Sequence, residues 1–324
     1  MKGWMRGLVA LVVLTVLAPV AVRAESKPFR VGYNLWIGYA QAFIAESEGI
    51  FKKHGLDVEL VAFPGPGDSL PPLIGGSLEG SLSTLDNVIL MHGNGDASVV
   101  TVFQVDASAG ADGIVANKEI KSVADLKEKK VAATVGQCNH LMLLMALEQA
   151  GLKESDIELT NMNADDAGAA FIAGSLDAAV TWEPWLSKAV SETGANLIFT
   201  SAKVPNLIAD IFAVSTKTAK ERPGDVKAFI AALDEAQQFL ESKPEAAAEI
   251  VAKKLEVRPA DVTEMLKGVV MYDLADNAGI LGTPENPGTG LKPAEAVAAF
   301  FLDKGVITTK VDAVKTIDAS FIQK

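Results

Sequence analysis

Gly76-Ser77-Leu78-Glu79-Gly80-Ser81-Leu82-Ser83 is answered later in the chain by Gly174-Ser175-Leu176-Asp177-Ala178-Ala179-Val180-Thr181. Each copy reads as a helix stopped by Gly, a tight acidic turn and a short buried strand. Each strand then delivers polar or aromatic groups at its C-terminal end: Ser83, Thr84 and Asp86 in the first copy, Thr181, Trp182 and Glu183 in the second. Open α/β sheets bind ligands off strand C-termini at a switch point. Two such edges in one chain imply two related lobes gripping something between them.

The echo extends upstream. Phe29-Arg30-Val31-Gly32-Tyr33 predicts a strand, followed by a helix over Ala42–Phe51 and, after Gly55-Leu56, a strand at Asp57–Val61. In the second half Lys130–Val135 predicts a strand, followed by a helix over Leu141–Ala150 and, after Gly151-Leu152, a strand at Ile157–Leu159. Helices at Leu70–Ile74 and Asp165–Ala173 complete the two series. Alternating strands and helices with short connections call for mostly parallel sheets flanked by helices, an α/β class.

The first 24 residues stand apart from the fold. A positive Met1–Arg6 segment, an apolar Gly7–Val20 run and Val22-Arg23-Ala24 read as a signal peptide cleaved after Ala24, giving an exported, periplasmic product. The net charge of −12 becomes three units more negative once Lys2, Arg6 and Arg23 leave. That disfavours nucleic acid and anionic membrane as partners. A single cysteine, Cys138, rules out an intramolecular disulfide and a Cys-based metal cluster.

The chain is expected to cross between lobes twice. Val99–Val105 is a β-rich run ending in the small-residue stretch Asp106–Gly113, and Ser122–Lys127 reads as a Ser-capped turn opening the second lobe. The return lies near Ala209–Val214. From Pro223 helices dominate, at 225–242, 244–254, 259–270 and 293–304, each with Pro at or before its start. Lobe I is therefore expected over 25–108 plus 214–324, and lobe II over 109–213.

Val31-Gly32-Tyr33, Phe43-Ile44-Ala45-Glu46 and Gly49 through Leu60, with Ser122–Lys127, Lys130-Val131-Ala132 and Gly174–Trp182, resemble solute-binding proteins of nitrate/sulfonate/taurine-type ABC importers. The resemblance spans nearly the whole chain after the leader. It implies a two-lobed type II periplasmic-binding-protein fold, a monomer, that closes on a small-molecule ligand and docks on an ABC permease. Carried over residue by residue, the ligand positions are Asn34, Trp36 and Tyr39, Asp86, Gln137, Asn139 and His140, Trp182 and Glu183, and Asp210.

None of these positions is Arg or Lys. Asp86, Asp106, Glu183 and Asp210 are carboxylates set among Trp36, Tyr39, Trp182 and Trp185. Carboxylates beside aromatic faces suit a nitrogenous cation or N–H-rich solute, guanidinium-, urea- or amine-like. The alternative is an anion such as a sulfonate, taurine or nitrate. Competing structural roles exist: Asp86 as a helix cap, Asp106 and Asp112 in the crossover bend, Asp210 paired with a hinge Lys, Cys138 and His140 in the core.

Enzyme readings find little. His54, His92 and His140 lack zinc spacing, and no Gly-x-Ser-x-Gly elbow, Walker loop or dinucleotide fingerprint occurs. Thiamine-pyrimidine synthases resemble this fold but carry a Cys-rich iron motif, which one lone Cys cannot supply. No catalytic residue, metal or cofactor is expected. A periplasmic sensor that serves a receptor instead of a permease remains open.

Overall fold

The repeated Gly-Ser-Leu-acid step folds the same way twice. In the computed structural model, which describes residues 27–283 and 285–323, helix Leu70–Ile74 runs into Gly76 at φ +73° and helix Ala164–Ile172 into Gly174 at φ +77°. Only a residue without Cβ enters this left-handed region freely. Ser77 N–H donates to Pro72 O (2.9 Å) and Gly76 N–H to Leu73 O (3.2 Å). Ser175 and Gly174 do the same to Ala170 O and Phe171 O (3.0 and 2.9 Å). These bonds satisfy carbonyls that a helix end leaves open. The expected leader and its cleavage point lie outside the described residues.

The acid of each step then clasps the neighbouring strand. Glu79 N–H donates to Arg30 O while Arg30 N–H donates to Glu79 Oε2, both 2.8 Å. Asp177 and Lys130 repeat the arrangement at 3.0 and 2.9 Å. One carboxylate side chain thus fixes strand register in each half, which is why the residue must be acidic and follow Leu immediately.

Among the described residues the chain lays down β1 (Phe29–Tyr33), β2 (Val58–Ala62), β3 (Gly80–Thr84), β4 (Val99–Ser108), β5 (Asp112–Ala116), β6 (Lys130–Ala133), β7 (Glu158–Asn161), β8 (Ala178–Trp182), β9 (Asn196–Thr200), β10 (Ala209–Ser215) and β11 (Val269–Met271). One sheet is ordered β11-β4-β10-β3-β1-β2 and the other β7-β6-β8-β5-β9. Without the edge strand β11 the two orders are the same: β4-β10-β3-β1-β2 matches β9-β5-β8-β6-β7. The parallel α/β lobes expected from the sequence are present, with one addition. Each sheet admits, antiparallel, the strand that has just arrived from the other lobe: β10 between β3 and β4, β5 between β8 and β9. A crossing strand finds its ladder partners by insertion, because its backbone groups cannot be buried unpaired.

The return therefore occurs before β10. Residues 209–213 pair within the first sheet, so the first lobe resumes ahead of the expected position 214. The helix expected over 259–270 also ends early, at Met265. Leu266–Gly268 forms a 3₁₀ turn, and β11 pairs with the end of β4. Val269 and Val270 are β-branched beside a strand edge that needs a partner, and the ladder outweighs helix propensity.

The helical tail packs on the first lobe as expected. Helix Pro223–Ser242 brings Phe229 against Phe212 (4.4 Å between ring centres) and flat against Phe51 (5.1 Å, 11°). The two crossovers, 108–112 and 200–209, run side by side. Ser108 Oγ and Ser201 Oγ lie 2.8 Å apart, and Ser108 N–H donates to Ile208 O at 3.0 Å.

Candidate functional site

The strand ends that the sequence singles out meet at one seam. From the first lobe come the loop after β1 with Asn34, Trp36 and Tyr39, the β3 edge with Asp86, the end of β4 with Asp106, and the start of β10 with Asp210. From the second come Asp112 at the start of β5, the N-terminus of helix Cys138–Gln149, and Trp182 at the end of β8. Among the contacts that span the lobes, three tie the strand ends and flanking helices together. Trp36 and Trp182 pack edge to face at 6.5 Å and 72°. Gly67 N–H donates to Gln137 Oε1 at 3.4 Å. Lys304 pairs with Glu148 at 2.9 Å.

Two lateral pairs hold the first-lobe acids. Tyr39 OH donates to Asp210 Oδ1 at 2.9 Å, and the Trp36 indole N–H is shared between the Asp106 oxygens at 3.3 and 3.4 Å. Asp106 and Asp210 face each other as register partners on β4 and β10. Gly38 must be glycine here, because a Cβ at that position would fall on the Asp106 carboxylate and the Trp36 indole nitrogen.

The electrostatics follow from burial. Asp86, Asp106, Asp112 and Asp210 are at most 4% exposed, and loss of water penalises the charged form of each. Burial lifts Asp86 to about 6 and Asp112 to about 7, the latter raised further by Asp86 and Glu183. Asp106 and Asp210 are both pushed up by burial, and Asp210 also by its neighbours Asp106 and Asp112. Cys138 is a buried, neutral thiol: burial raises its pKa, and Asp86, Asp112 and Asp210 each raise it further, which places all three around it. Several buried polar atoms of the seam have no well-aligned hydrogen-bond partner: Asn34 Oδ1, both Asp86 oxygens, Asp112 Oδ2 and Asn139 Nδ2. Thr84 and the first-turn N–H groups come near Asp86 without matching the cost of its burial. Protein interiors rarely tolerate such groups without a purpose.

Three sequence-selected residues serve neighbouring structure. Glu183 accepts from Ser187 N–H (3.1 Å) and Ser187 Oγ (2.8 Å), holding the start of helix Trp185–Thr193. His140 Nδ1 accepts from Gly136 N–H (3.3 Å), which leaves the proton on Nε2, 2.7 Å from Glu154 Oε2. It braces the turn that carries Gln137. The Trp185 ring lies under Lys188, 4.8 Å from its centre. Asp86 lies in the first turn of helix Leu85–Gly93, where the Thr84 hydroxyl and the N–H groups of Asp86 and Asn87 partly offset the effect of burial on its carboxylate without forming a well-aligned cap. Asp210 has Tyr39 rather than a hinge Lys as its partner.

Sequence reasoning gave Asp112 only to the crossover bend. A signal existed: Ala111-Asp112 opens one crossing strand as Ala209-Asp210 opens the other. It also missed Asp165, which accepts the Trp182 indole N–H at 2.9 Å. Burial lifts Asp165 to about 6. The loop through Gly65–Gly67 was missed as well. It lies against the side-chain ends of Gln137 and Asn87, which would have to shift to admit a larger residue.

The profile of the NMT1-like family matches residues 23–255. A binding protein of Brucella abortus (strain 2308) is 32% identical over 265 residues, covering 79% of this chain and 80% of its own length. A protein of Escherichia coli K12 assigned as aliphatic sulfonates-binding is 31% identical over 316 residues, 94% and 93% of the two chains. Among solved structures, the alkanesulfonate-binding protein of Xanthomonas axonopodis pv. citri bound to MOPS superposes with a TM-score of 0.77 at 22% identity, covering 91% and 99%.

Proposed function

The chain belongs to the NMT1-like family, and from that premise we propose a solute-binding role in a sulfonate/taurine-type ABC importer. In this reading the protein works outside the cytoplasm, closes on a small sulfonate-class solute and presents it to a membrane permease. Among the described residues no helix is long and apolar enough to cross a membrane. The role is binding without chemistry.

The observation that carries this reading is the seam itself, where side chains from both lobes are buried with unpartnered polar atoms between them. A solute that satisfies those atoms only when the lobes meet favours the closed state by its differential affinity. The ligand class departs from the nitrogenous cation that the sequence favours. The relatives support the sulfonate alternative, since the Escherichia coli protein at 31% identity is assigned to aliphatic sulfonates. An anion is tolerable beside Asp106 and Asp210 because burial favours their neutral, O–H-donating forms. The N-terminus of helix Cys138–Gln149 and the free amide of Asn139 offer N–H donors for sulfonate oxygens.

The test is a thermal-shift panel of alkanesulfonates against matched carboxylates, alcohols and amines. A solute at one hundred times its Kd adds about 2.7 kcal/mol to stability. Protection by sulfonates of one chain length supports the reading, and no protection by any sulfonate refutes it.

A further inference from the structure

The unpartnered atoms at the seam are unequal in kind. Asn34 Oδ1, Asp86 Oδ1, Asp86 Oδ2 and Asp112 Oδ2 are acceptors, and Asn139 Nδ2 is the one donor among them. A sulfonate brings only acceptors, so it can answer Asn139 and leave the other four unmet. Among the described residues no Lys or Arg side chain is buried, so the chain supplies no internal cation for Asp86 or Asp112. The larger side-chain donors nearby are committed: Tyr39 OH to Asp210, the Trp36 indole to Asp106, and the Trp182 indole to Asp165. The Thr84 hydroxyl and the first-turn N–H groups of Asp86 and Asn87 approach the Asp86 carboxylate but form no well-aligned bond with it and bring no positive charge. What the indoles still offer is their faces.

We propose that Asn34, Asp86 and Asp112 form a subsite for a planar, N–H-rich cationic group of the guanidinium or amidinium class, so that the solute is bipolar. The proposal rests on the reading of the seam as a solute site, with the sulfonate-class end of the same molecule toward Asn139. Four acceptors drawn from both lobes exceed the three N–H groups of an ammonium, whereas a monosubstituted guanidinium presents five in a plane. Such a group also stacks on an aromatic face, which Trp36 and Trp182 can provide. Acceptors on β5 and on the helix Leu85–Gly93 belong to different lobes, so the same group that satisfies them draws the lobes together.

Isothermal titration of the purified protein with four probes decides the matter: guanidinium chloride, ethanesulfonate, 2-aminoethanesulfonate and 2-guanidinoethanesulfonate. The guanidino compound should bind about tenfold or more tighter than ethanesulfonate, the scale of bonds to a charged group. That advantage should shrink to about twofold in Asp86→Asn and in Asp112→Asn, whose ligand-free melting temperatures should be no lower than wild type. Ethanesulfonate binding as tightly as the guanidino compound overturns the subsite and leaves the sulfonate role standing. Guanidinium binding while ethanesulfonate does not supports the subsite and overturns the sulfonate role. No binding of either guanidino probe overturns the subsite.

Discussion

Replacing Asp86 with asparagine should stabilise the ligand-free protein at neutral pH, although the residue lies deep in the structure. Asp86 is 1% exposed with neither carboxylate oxygen in a well-aligned hydrogen bond, and burial, only partly offset by Thr84 and the first-turn N–H groups, lifts its pKa from 3.8 to about 6. Its folded-state pKa lies above the unfolded value, so between the two the folded protein holds the extra proton. Its contribution is therefore fully present at low pH, is lost as pH rises toward 6, and stays lost above. Each pKa unit corresponds to about 1.4 kcal/mol, so the ionised side chain destabilises the fold by about 3 kcal/mol at neutral pH. Asparagine carries no charge to desolvate, but its amide meets the same shortage of partners, which returns about 1–2 kcal/mol. The net gain is about 1–2 kcal/mol, a rise of a few degrees in Tm. Urea denaturation after exhaustive dialysis, at about pH 7.5 and about pH 4, measures it. The gain should be present at the higher pH and gone at the lower, where wild type is protonated. A variant less stable than wild type at pH 7.5, or an equal difference at both values, refutes the account of a buried, unmatched charge.

Four further outcomes follow from the geometry. Gly38→Ala sets a methyl group on the Asp106 carboxylate and the Trp36 indole, and should destabilise by about 1–3 kcal/mol while weakening solute binding; an unchanged urea midpoint contradicts the placement. Asp165→Ala frees the Trp182 indole and should abolish the near-ultraviolet dichroism of the Trp36–Trp182 pair, whereas Asp165→Asn keeps an acceptor and should retain it; identical spectra for both variants would remove Asp165 from any positioning role. A solute with a cationic group should bind more weakly as pH falls from about 8 to about 5. Asp112 and Asp86 then take up protons, among Tyr39, Asp106, Cys138, Glu183 and Asp210 facing the same space. A purely anionic solute should show the opposite trend in calorimetry. Glu79→Ala and Asp177→Ala each remove a strand clasp and should cost about 1–2 kcal/mol, additively because the sites lie in different lobes; strong non-additivity in a double-variant cycle would deny their independence.

The architecture was legible because its signals are local. Gly76 and Gly174 need a left-handed backbone, and the acid three residues on needs the adjacent strand, so the duplication shows in eight-residue windows. Insertion of β5 and β10 was not legible, since antiparallel pairing across a crossover depends on which strand edges are left free elsewhere in the sheet. The turn of Val269–Met271 into a strand has the same cause. Within the site, the residue types at strand ends pointed to Asp86 and Trp182, and the family resemblance pointed to Trp36 and Tyr39. Which acid touches which partner did not follow. Glu183 and Trp182 are neighbours in sequence, yet one holds a helix start and the other meets the opposite lobe, because successive strand-end residues face opposite ways.

The two crossing strands begin with Asp112 and with Ala209-Asp210, and the crossovers that lead into them touch at Ser108 and Ser201. In the proposed reading, recognition and mechanics therefore share the same stretch of backbone. A substitution that changes which solute is favoured will also alter how readily the jaws part, so selectivity and release rate are inherited together. Descendants of this chain that acquire a new cargo should carry compensating changes around Ser108 and Ser201.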